Sequence, residues 1–465
     1  MNRILIAFIL VCLASCGAKD RNTRRSTWFC GVIENPAVPY VVLKSGGVLL
    51  DTVRLNGNNF FNYKLNITAP TFLEFYNKEF QALYITPGDS LIMHLDVKAF
   101  DESINYSGTG AGKNNLLMHY FLQGEKDAKN MAAYPGVRPL SFLAKLDSLK
   151  NDKQKAFARY EQKNEVAPAF GTIIPALIEA ERVGLKEMYI AAKYRETNRT
   201  AATVGLPPEL YVHRENFPYN TPFFAHYFPF VRVADAYFDN LAFENHRTQQ
   251  AYDRTSFVHN YKKLELLDSL MDNGLLKNKL SRLTARRYLN KASGAENVRQ
   301  LAALFRNVNT NAGHINEMNK LANTALTLVP GRALPDVSLV NVENELKPLQ
   351  GLIERPSVLY FWSDKSSRHK KLVHSVAAQL KAAYPEHDFI GLNVDKNFRA
   401  WQRALAKANY GKEFQLENSE ETIEKLMLTT LNKALMVDEN GTILHNNLNI
   451  FDPNIEDTLA RHTGR

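Results

Sequence analysis

Cysteine is the residue that this chain of 465 residues most clearly lacks. Its three cysteines stand at positions 12, 16 and 30, and none follows Cys30. If a signal segment with Cys12 is removed and Cys16 is modified, Cys30 is the only thiol left, and it cannot form an intrachain disulfide. Cys30 lies in the apolar stretch Trp28–Ile33, which predicts a strand. A free cysteine there is expected to be a small buried hydrophobic residue.

A hydrophobic run long enough to span a bilayer is also missing at the start of the sequence. The run from Ile4 to Leu13 follows Arg3 and is too short, as is typical of a secretory signal. The next residues, Leu13-Ala-Ser-Cys16, resemble the lipobox of bacterial lipoproteins, in which the chain is cut before the cysteine and the cysteine is acylated. The resemblance implies a signal peptide over residues 1–15 and a lipidated tether over 16–26. It also implies a place in the cell envelope, anchored to a membrane by a palmitate-type lipid, with the outer membrane favoured.

A strong charge of one sign is absent too. The formal net charge is +9, with 23% charged and 45% apolar residues, a mild basic excess that fits solvated helical faces. No zinc module, RNA-recognition signature or other nucleic-acid motif occurs, so no nucleic-acid partner is expected. The length suggests three domains at about 150 residues each.

Residues 27–110 show a β pattern. Short runs rich in Val, Ile, Tyr and Phe alternate with polar residues and are separated by turn signals such as Asn56-Gly-Asn58 and Pro87-Gly-Asp89. This pattern predicts a small antiparallel β-sandwich. The glycine-rich stretch from Tyr106 to Gly112 lacks the Gly-Lys-Ser/Thr of a phosphate-binding loop and is interpreted as a linker.

Residues 112–330 have helical spacing of leucines, for example Leu264, Leu267 and Leu270, which predicts a central α-helical domain. A segment dense in aromatics, residues 217–230, contains three prolines and cannot be one helix. Two interpretations of this segment remain open. It is an exposed contact surface for a partner or a membrane, or, as we favour, it fills the core.

Residues 331–465 predict an α/β domain. Val358–Trp362 is an apolar run suited to a strand that is buried on both faces. A helix follows it, with apolar positions at Leu372, Val373, Val376, Ala377 and Leu380. A second buried strand starts at Asp388, and a hairpin with an Asn440-Gly441 turn and a closing helix complete the domain. The fold class is thus multidomain: an N-terminal β-sandwich, a central helical domain and a C-terminal α/β domain.

The pair Phe361-Trp362, followed by a polar turn, resembles the Phe-Trp-x-x-x-Cys-x-x-Cys segment of the membrane-anchored, thioredoxin-like thiol:disulfide oxidoreductases of Bacteroidetes-type bacteria. The strand opening at Leu334-Pro-Asp and the N-terminal β domain are similar to that family as well. The resemblance implies a thioredoxin-like C-terminal domain. It places Ser366 and His369 where the family has its two cysteines, with Ser367 and Arg368 between them. It places Asn432, or Lys433 if the alignment slips by one, at the family's cis-proline, so a trans peptide is expected there.

Disulfide exchange needs a thiolate, which is missing at this degenerate redox site. We therefore predict no catalytic residue, cofactor or metal ligand, and favour a non-catalytic, membrane-anchored binding or scaffolding lipoprotein with an envelope protein or peptide as partner. The alternative is an oxidoreductase-family enzyme with residual or altered activity, which uses thiols of a partner or Ser366 and His369 as nucleophile and base. His369 and His374 are poorly spaced for shared metal ligation, and Asp364, Ser366 and Ser367 are explained as helix caps.

Overall fold

The computed structural model describes residues 26–131, 136–197, 205–220, 222–246, 251–272, 274–406 and 410–462. They belong to two compact units. The first unit comprises the described residues up to Leu185 and the segment Phe223–Phe230, and the second comprises Lys186–Pro222 and the chain from Val231 onward. The predicted signal peptide, Cys16 and most of the tether lie outside the described residues. The predicted domain boundaries at residues 110 and 330 stay predictions.

Eight strands of the first unit form two four-stranded sheets. They are β1 Thr27–Glu34, β2 Tyr40–Ser45, β3 Val48–Arg54, β4 Phe60–Leu65, β5 Thr71–Tyr76, β6 Phe80–Ile85, β7 Ser90–Asp96 and β8 Asn105–Thr109. The sheet orders are β4-β1-β7-β8 and β3-β2-β5-β6. Alternate residues of both sheets, such as Phe29, Phe61, Phe75 and Leu91, meet in one core, as a sandwich requires.

Two expectations for this region need correction. The sandwich is not wholly antiparallel, because β1 and β7 pair in parallel, with Trp28 opposite Ser90. The glycine-rich stretch is not a linker, since residues 105–109 form the edge strand β8. A Cβ at Gly108 would lie 2.2 Å from the carbonyl oxygen of Ser90. Glycine is therefore favoured at this position for two reasons: the strands pack closely here, and its φ is +84°.

Helices make up the middle of the chain, as predicted, whereas α1 lies between β7 and β8 and α10–α13 belong to the C-terminal part. They are α1 Phe100–Ser103, α2 Ala111–Met131, α3 Pro139–Glu161, α4 Pro168–Thr197, α5 Phe228–Asn245, α6 Phe257–Leu270, α7 Gly274–Leu289, α8 Ala295–Val308, α9 Ala312–Thr327, α10 Ser367–Ala383, α11 Phe398–Leu405, α12 Ser419–Lys425 and α13 Ile455–Ala460. Short 3-10 helices span Val97–Ala99, Pro208–Leu210, Val212–Asn216, Pro222–His226 and Leu349–Leu352. None of the helices among the described residues has the length and apolar content needed to cross a bilayer.

The aromatic segment is partly core, in agreement with the favoured interpretation. Phe217, Phe224 and Phe230 are buried. In the first unit the rings of Phe224 and Phe230 stack with centroids 4.0 Å apart, and in the second unit Phe217 stacks on Tyr237 at 4.5 Å. Such ring pairs add to the stabilisation that burial of their area already gives.

The C-terminal sheet has seven strands in the order β10-β9-β13-β12-β11-β14-β15. They are β9 Ser338–Val340, β10 Leu346–Pro348, β11 Ser357–Trp362, β12 Asp388–Asn393, β13 Lys412–Leu416, β14 Lys433–Val437 and β15 Ile443–Asn449. β11 pairs in parallel with β12 and antiparallel with β14. The predicted succession of strand, helix, strand, hairpin and closing helix is present, whereas β10, β13 and α12 were not predicted.

Candidate functional site

The candidate site lies where β11 ends and α10 begins. All six residues of β11 are buried, because the strand has a neighbour on each side and helices cover its face. The apolar face of α10 differs from the predicted one at two positions. Leu372 is exposed, and His374 takes an inward position beside Val373. Residues 363–369 follow the end of β11 directly and lie at one edge of the sheet.

The turn after β11 is fixed by a carboxylate that follows the neighbouring strand β12, and not by helix capping. The Ser363 hydroxyl donates to Asp395 Oδ1 at 2.8 Å, and the backbone N–H of Asp364 donates to Asp395 Oδ2 at 2.7 Å. Ser366 takes the N-cap position, but its side chain makes no capping hydrogen bond. Asp364 forms an ion pair with Lys370. Of the three residues predicted to cap this helix, Ser366 holds the N-cap position without a side-chain hydrogen bond, Asp364 pairs with Lys370, and Ser367 is the first helical residue, so the predicted side-chain capping is wrong.

His369 lies partly buried on the first turn of α10, with its ring edge-on to Phe451 at 5.6 Å. Burial lowers the pKa of His369, and nearby His374 adds to this, while the Asn432 side chain and the backbone of Leu431 oppose it. Neither ring nitrogen makes a hydrogen bond of good geometry within the described residues. The hydroxyl of Ser366 is thus not bonded to His369, and the two residues do not form a nucleophile–base pair here.

Asn432 precedes β14 and faces this helix start. Its carbonyl accepts a hydrogen bond from Ile450 N–H at 3.0 Å, and its N–H donates to Thr430 Oγ1 at 3.2 Å. The peptide bonds here are trans, as are all others in the described ranges. The structure therefore brings His369 and Asn432 together, while Ser367 and Arg368 are exposed to solvent.

Lys433, the next residue, is buried. Its Nζ donates to the carbonyl oxygens of Leu426 and Met427 at 2.9 and 3.1 Å. Burial lowers the pKa of Lys433 to about 8. No carboxylate of the described residues lies within ion-pair distance of this ammonium. Only the dipoles of the two carbonyl groups therefore stabilise its charge.

A buried carboxylate beneath α10 was missed by the sequence analysis. Glu413 on β13 accepts hydrogen bonds from the Tyr360 hydroxyl at 2.5 Å and from Trp362 Nε1 at 2.7 Å. His374 Nε2 lies 3.2 Å from Glu413 Oε1, and its Nδ1 lies 2.7 Å from the Lys370 carbonyl oxygen. Burial, followed by the charge of Glu413, raises the pKa of Tyr360 far above its ordinary range. The hydroxyl of Tyr360 therefore stays protonated and remains a donor.

The Glu413 cluster joins strand to helix. Tyr410 stacks on the His374 ring with centroids 3.8 Å apart. Tyr410 and Glu413 also border a cavity of about 490 Å³, whose rim carries Lys347 and Lys412. The cluster contains no nucleophile, and what it can do is hold α10, β11 and β13 in a fixed relation through charge-assisted hydrogen bonds. A signal was present in Lys412-Glu-Phe-Gln-Leu416, where polar and apolar residues alternate, but here Glu413 and Gln415 are the residues that point inward.

A second buried polar network holds the helices of the second unit together. Lys263 is fully buried and lies 2.5 Å from Asp235 Oδ1 and 2.6 Å from Asp239 Oδ1. Arg287 contacts both carboxylates at 2.5 and 2.9 Å. Burial pushes the pKa of Asp239 upward, but Lys263, His259 and the arginines outweigh burial and lower it. Glu187 and Arg214 form a similar buried pair at 2.9 Å. Arg254 contacts Asp235 and Asp239 as well, so every buried carboxylate of this network is compensated by basic side chains, which indicates a structural role.

Cys30 lies on β1 as predicted, but it is half-buried and not fully enclosed. Its Sγ is 3.6 Å from the carbonyl oxygen of Leu91. No group of three or more His, Cys, Asp or Glu side chains within the described ranges is arranged to hold a metal ion.

No known family model matches the chain, and no curated protein matches it. Solved structures do. A thiol:disulfide interchange protein from Bacteroides sp. is 14% identical and covers 30% of this chain and 93% of that chain, with a TM-score of 0.27. The thioredoxin domain of a thiol-disulfide oxidoreductase from Bacteroides vulgatus is 15% identical and covers 29% of this chain and 97% of that chain, with a TM-score of 0.26. These neighbours are thioredoxin-like and match only part of the chain.

Proposed function

We propose that this chain is a non-catalytic, thioredoxin-like lipoprotein that acts as a binding or scaffolding protein in the cell envelope, anchored to a membrane, the outer membrane for preference, through Cys16. One observation carries the non-catalytic part. Ser366 and His369 stand at the start of α10, and no cysteine follows Cys30 in the sequence. A thiolate is the nucleophile of disulfide exchange, and a second thiol must resolve the mixed disulfide.

The neighbourhood of the missing thiols supports a binding role. His369 lies against Phe451 and beside Asn432, so an imidazole, a phenyl ring and an amide line the rim between α10 and the loop before β14. The backbone groups of Asn432 are already hydrogen-bonded, so the loop offers the exposed side chains of Thr429, Thr430 and Asn432 to an extended peptide. The proposed occupant of this rim is therefore an extended segment of an envelope protein.

A redox assay tests the non-catalytic proposal. Purified protein is expected to give no reduction of insulin by dithiothreitol above the uncatalysed rate. Cys30→Ser, as the control, should behave in the same way, because Cys30 lies on β1, in the other compact unit. Turnover by the unaltered chain that survives Cys30→Ser would refute the proposal.

A gain-of-sulfur variant tests the location of the degenerate site. In Ser366→Cys/His369→Cys the two thiols should form an intrachain disulfide, seen as the loss of both alkylation sites until a reductant is added. The matched control is Ser367→Cys/Lys371→Cys, which places the pair one turn apart on exposed positions of α10. If both pairs stay reduced under the same oxidant, residues 366 and 369 do not occupy the positions of a dithiol.

The partner is tested by site-specific photocrosslinking. A photoreactive residue at Asn432 should capture a discrete partner in intact envelopes, and the same residue at Asn440, in the hairpin turn, should not. A crosslink pattern identical at both positions would count against peptide binding at this rim.

The anchor is tested by the intact mass of the membrane-bound protein and by Cys16→Ala, which should release the chain from membranes.

The competing proposal is an enzyme with altered chemistry, either through partner-supplied thiols or through Ser366 and His369. What favours it is that both side chains lie at one helix start and are only partly buried. An esterase panel with Ser366→Ala and His369→Ala as controls decides this. Activity that is lost in both variants would replace the scaffolding role.

A further inference from the structure

The first strand of the β-sandwich starts at a particular end of the sandwich. The Thr27 hydroxyl accepts a hydrogen bond from the Gly88 N–H at 2.8 Å, and Trp28 N–H donates to the Asp89 carbonyl at 2.8 Å. Residues 86–89 form the turn between β6 and β7. The chain therefore enters the sandwich beside this turn.

The β2–β3 turn lies at the same end. Thr71, the first residue of β5, pairs with Ile85, the last residue of β6. The Ser45 hydroxyl lies 3.5 Å from Thr71 Oγ1. Ser45 also pairs with Val48 across a two-residue turn made of Gly46 and Gly47. Both glycines have positive φ, as the tight turn of a twisted hairpin requires. The start of β3 and the start of β1 therefore share one end of the sandwich.

Three consecutive apolar side chains are exposed at this end. Val48, Leu49 and Leu50 are 67%, 58% and 42% exposed. β3 is the outermost strand of its sheet, so one of its edges has no strand partner. Single exposed apolar residues are common on protein surfaces, but a contiguous apolar tip marks an interaction site. We call residues 48–50 the apolar tip.

The sequence between Cys16 and Thr27 indicates which partner the apolar tip contacts. Ten residues separate Cys16 from Thr27, which at full extension span at most about 40 Å. They include Lys19, Arg21, Arg24 and Arg25 against the single acid Asp20. A lipid on Cys16 would hold this end of the sandwich near a bilayer, and the basic tether would favour anionic headgroups.

We propose that the apolar tip is a membrane-contact surface for a bilayer that contains anionic phospholipids. This inference rests on the proposed lipidation of Cys16. Val48, Leu49 and Leu50 enter the boundary between headgroups and acyl chains, where apolar side chains gain from burial. Exposed Lys44, paired with Leu49 across the hairpin, lies at headgroup level. Asp51 stays on the aqueous side.

Depth-dependent fluorescence tests this contact. The lipidated full chain with Cys30→Ser is reconstituted into phosphatidylcholine–phosphatidylglycerol vesicles and carries an environment-sensitive dye on Leu49→Cys. The dye should emit at shorter wavelength and be quenched by lipids with a nitroxide on the acyl chain. The matched control is Asn58→Cys, in the turn after β3 at the other end of the strand, which should show neither effect. Equal emission and equal quenching at both positions would overturn the proposal.

A second measurement separates the tip from the anchor. Sedimentation of the Cys16→Ala chain with the same vesicles should weaken by about tenfold or more in Val48→Ser/Leu49→Ser/Leu50→Ser. It should not change in Leu140→Ser, an equally exposed leucine on α3. If the intact mass shows no lipid on Cys16 while the tip still binds vesicles, the anchor fails and the tip proposal stands. A dye signal that persists without lipid and grows with protein concentration would assign the tip to a second copy of the chain and overturn the proposal.

Discussion

The carboxylate of Glu413 occupies the space in which a side chain of residue 391 would stand. A Cβ on Gly391 would lie 2.1 Å from Glu413 Oε1 and 2.3 Å from Oε2. Gly391 is in the middle of β12, opposite Tyr360 on β11 and Glu413 on β13. A glycine inside a central strand normally weakens it. Here the glycine makes room for the acid that Tyr360 and Trp362 need as an acceptor.

Gly391→Ala should therefore lower the free energy of unfolding of the second unit by about 2–3 kcal/mol, because the added methyl group overpacks a buried site. Chemical denaturation followed by tryptophan fluorescence, to which buried Trp362 and Trp401 contribute, measures this loss. Gly274→Ala is the control, since its Cβ would meet no atom within 4 Å. Equal stability of the two variants would show that Glu413 moves away at little cost.

Glu413→Ala should cost about 3 kcal/mol or more, because the Tyr360 hydroxyl and the Trp362 N–H are then buried without an acceptor. Glu413→Gln, which keeps one acceptor oxygen, should cost less. A double-mutant cycle with Tyr360→Phe measures the coupling directly. Strictly additive losses would mean that the short Tyr360–Glu413 hydrogen bond contributes nothing of its own.

Lys433 should make stability depend on pH. Its pKa is about 8 in the folded chain and about 10.4 when unfolded, so between these values the unfolded state binds more protons. Stability should then rise with pH from about 8, by up to about 1.4 kcal/mol per pH unit. The measurement is the free energy of unfolding between pH 7.5 and 8.5, well below the pKa of about 10 of unfolded tyrosines.

Lys433→Met should abolish this rise, whereas Lys425→Met, which removes an exposed lysine nearby, should keep it. A slope that persists unchanged in Lys433→Met would assign the pH dependence to another group.

Lys263→Met should destabilise the helices of the second unit by about 1–3 kcal/mol, because Asp235 and Asp239 lose their fully buried hydrogen-bond donor while Arg254 and Arg287 still compensate their charge. The neighbouring Lys262 is the matched control. Its ammonium pairs with Glu265 on the surface of the same helix, and such exposed pairs contribute at most about 1 kcal/mol. Thermal unfolding of both variants side by side gives the comparison, and similar melting temperatures would refute the structural role of the network.

Much of the fold could be predicted from the sequence because its strands are marked by pattern. β1 has one buried face, and buried and less buried residues therefore alternate along it. β11 is buried on both faces, and its apolar run is therefore continuous. The Asn440-Gly441 turn is similarly local, and the structure confirms it: the Asp438 carboxylate accepts from the N–H groups of Asn440 and Thr442 at 2.9 and 2.7 Å.

What could not be predicted depends on contacts between distant residues. β13 was missed because its inward residues are polar, and the reason, acceptance of hydrogen bonds from Tyr360 and Trp362, lies about fifty positions away. The stretch around Gly108 of β8 suggested a linker because the close contact of Gly108 with Ser90 cannot be seen in the sequence. The candidate site was located by the missing sulfur, but the contact of His369 with the Asn432 loop required the fold.

The pairing of β1 also has a mechanical consequence. β1 is hydrogen-bonded to β4 on one side and to β7 on the other along nearly its full length. Tension applied at Thr27 along the strand axis would load both ladders in shear at once, so they would not open one bond after another. The sandwich is therefore built to withstand traction at the point where the chain enters it.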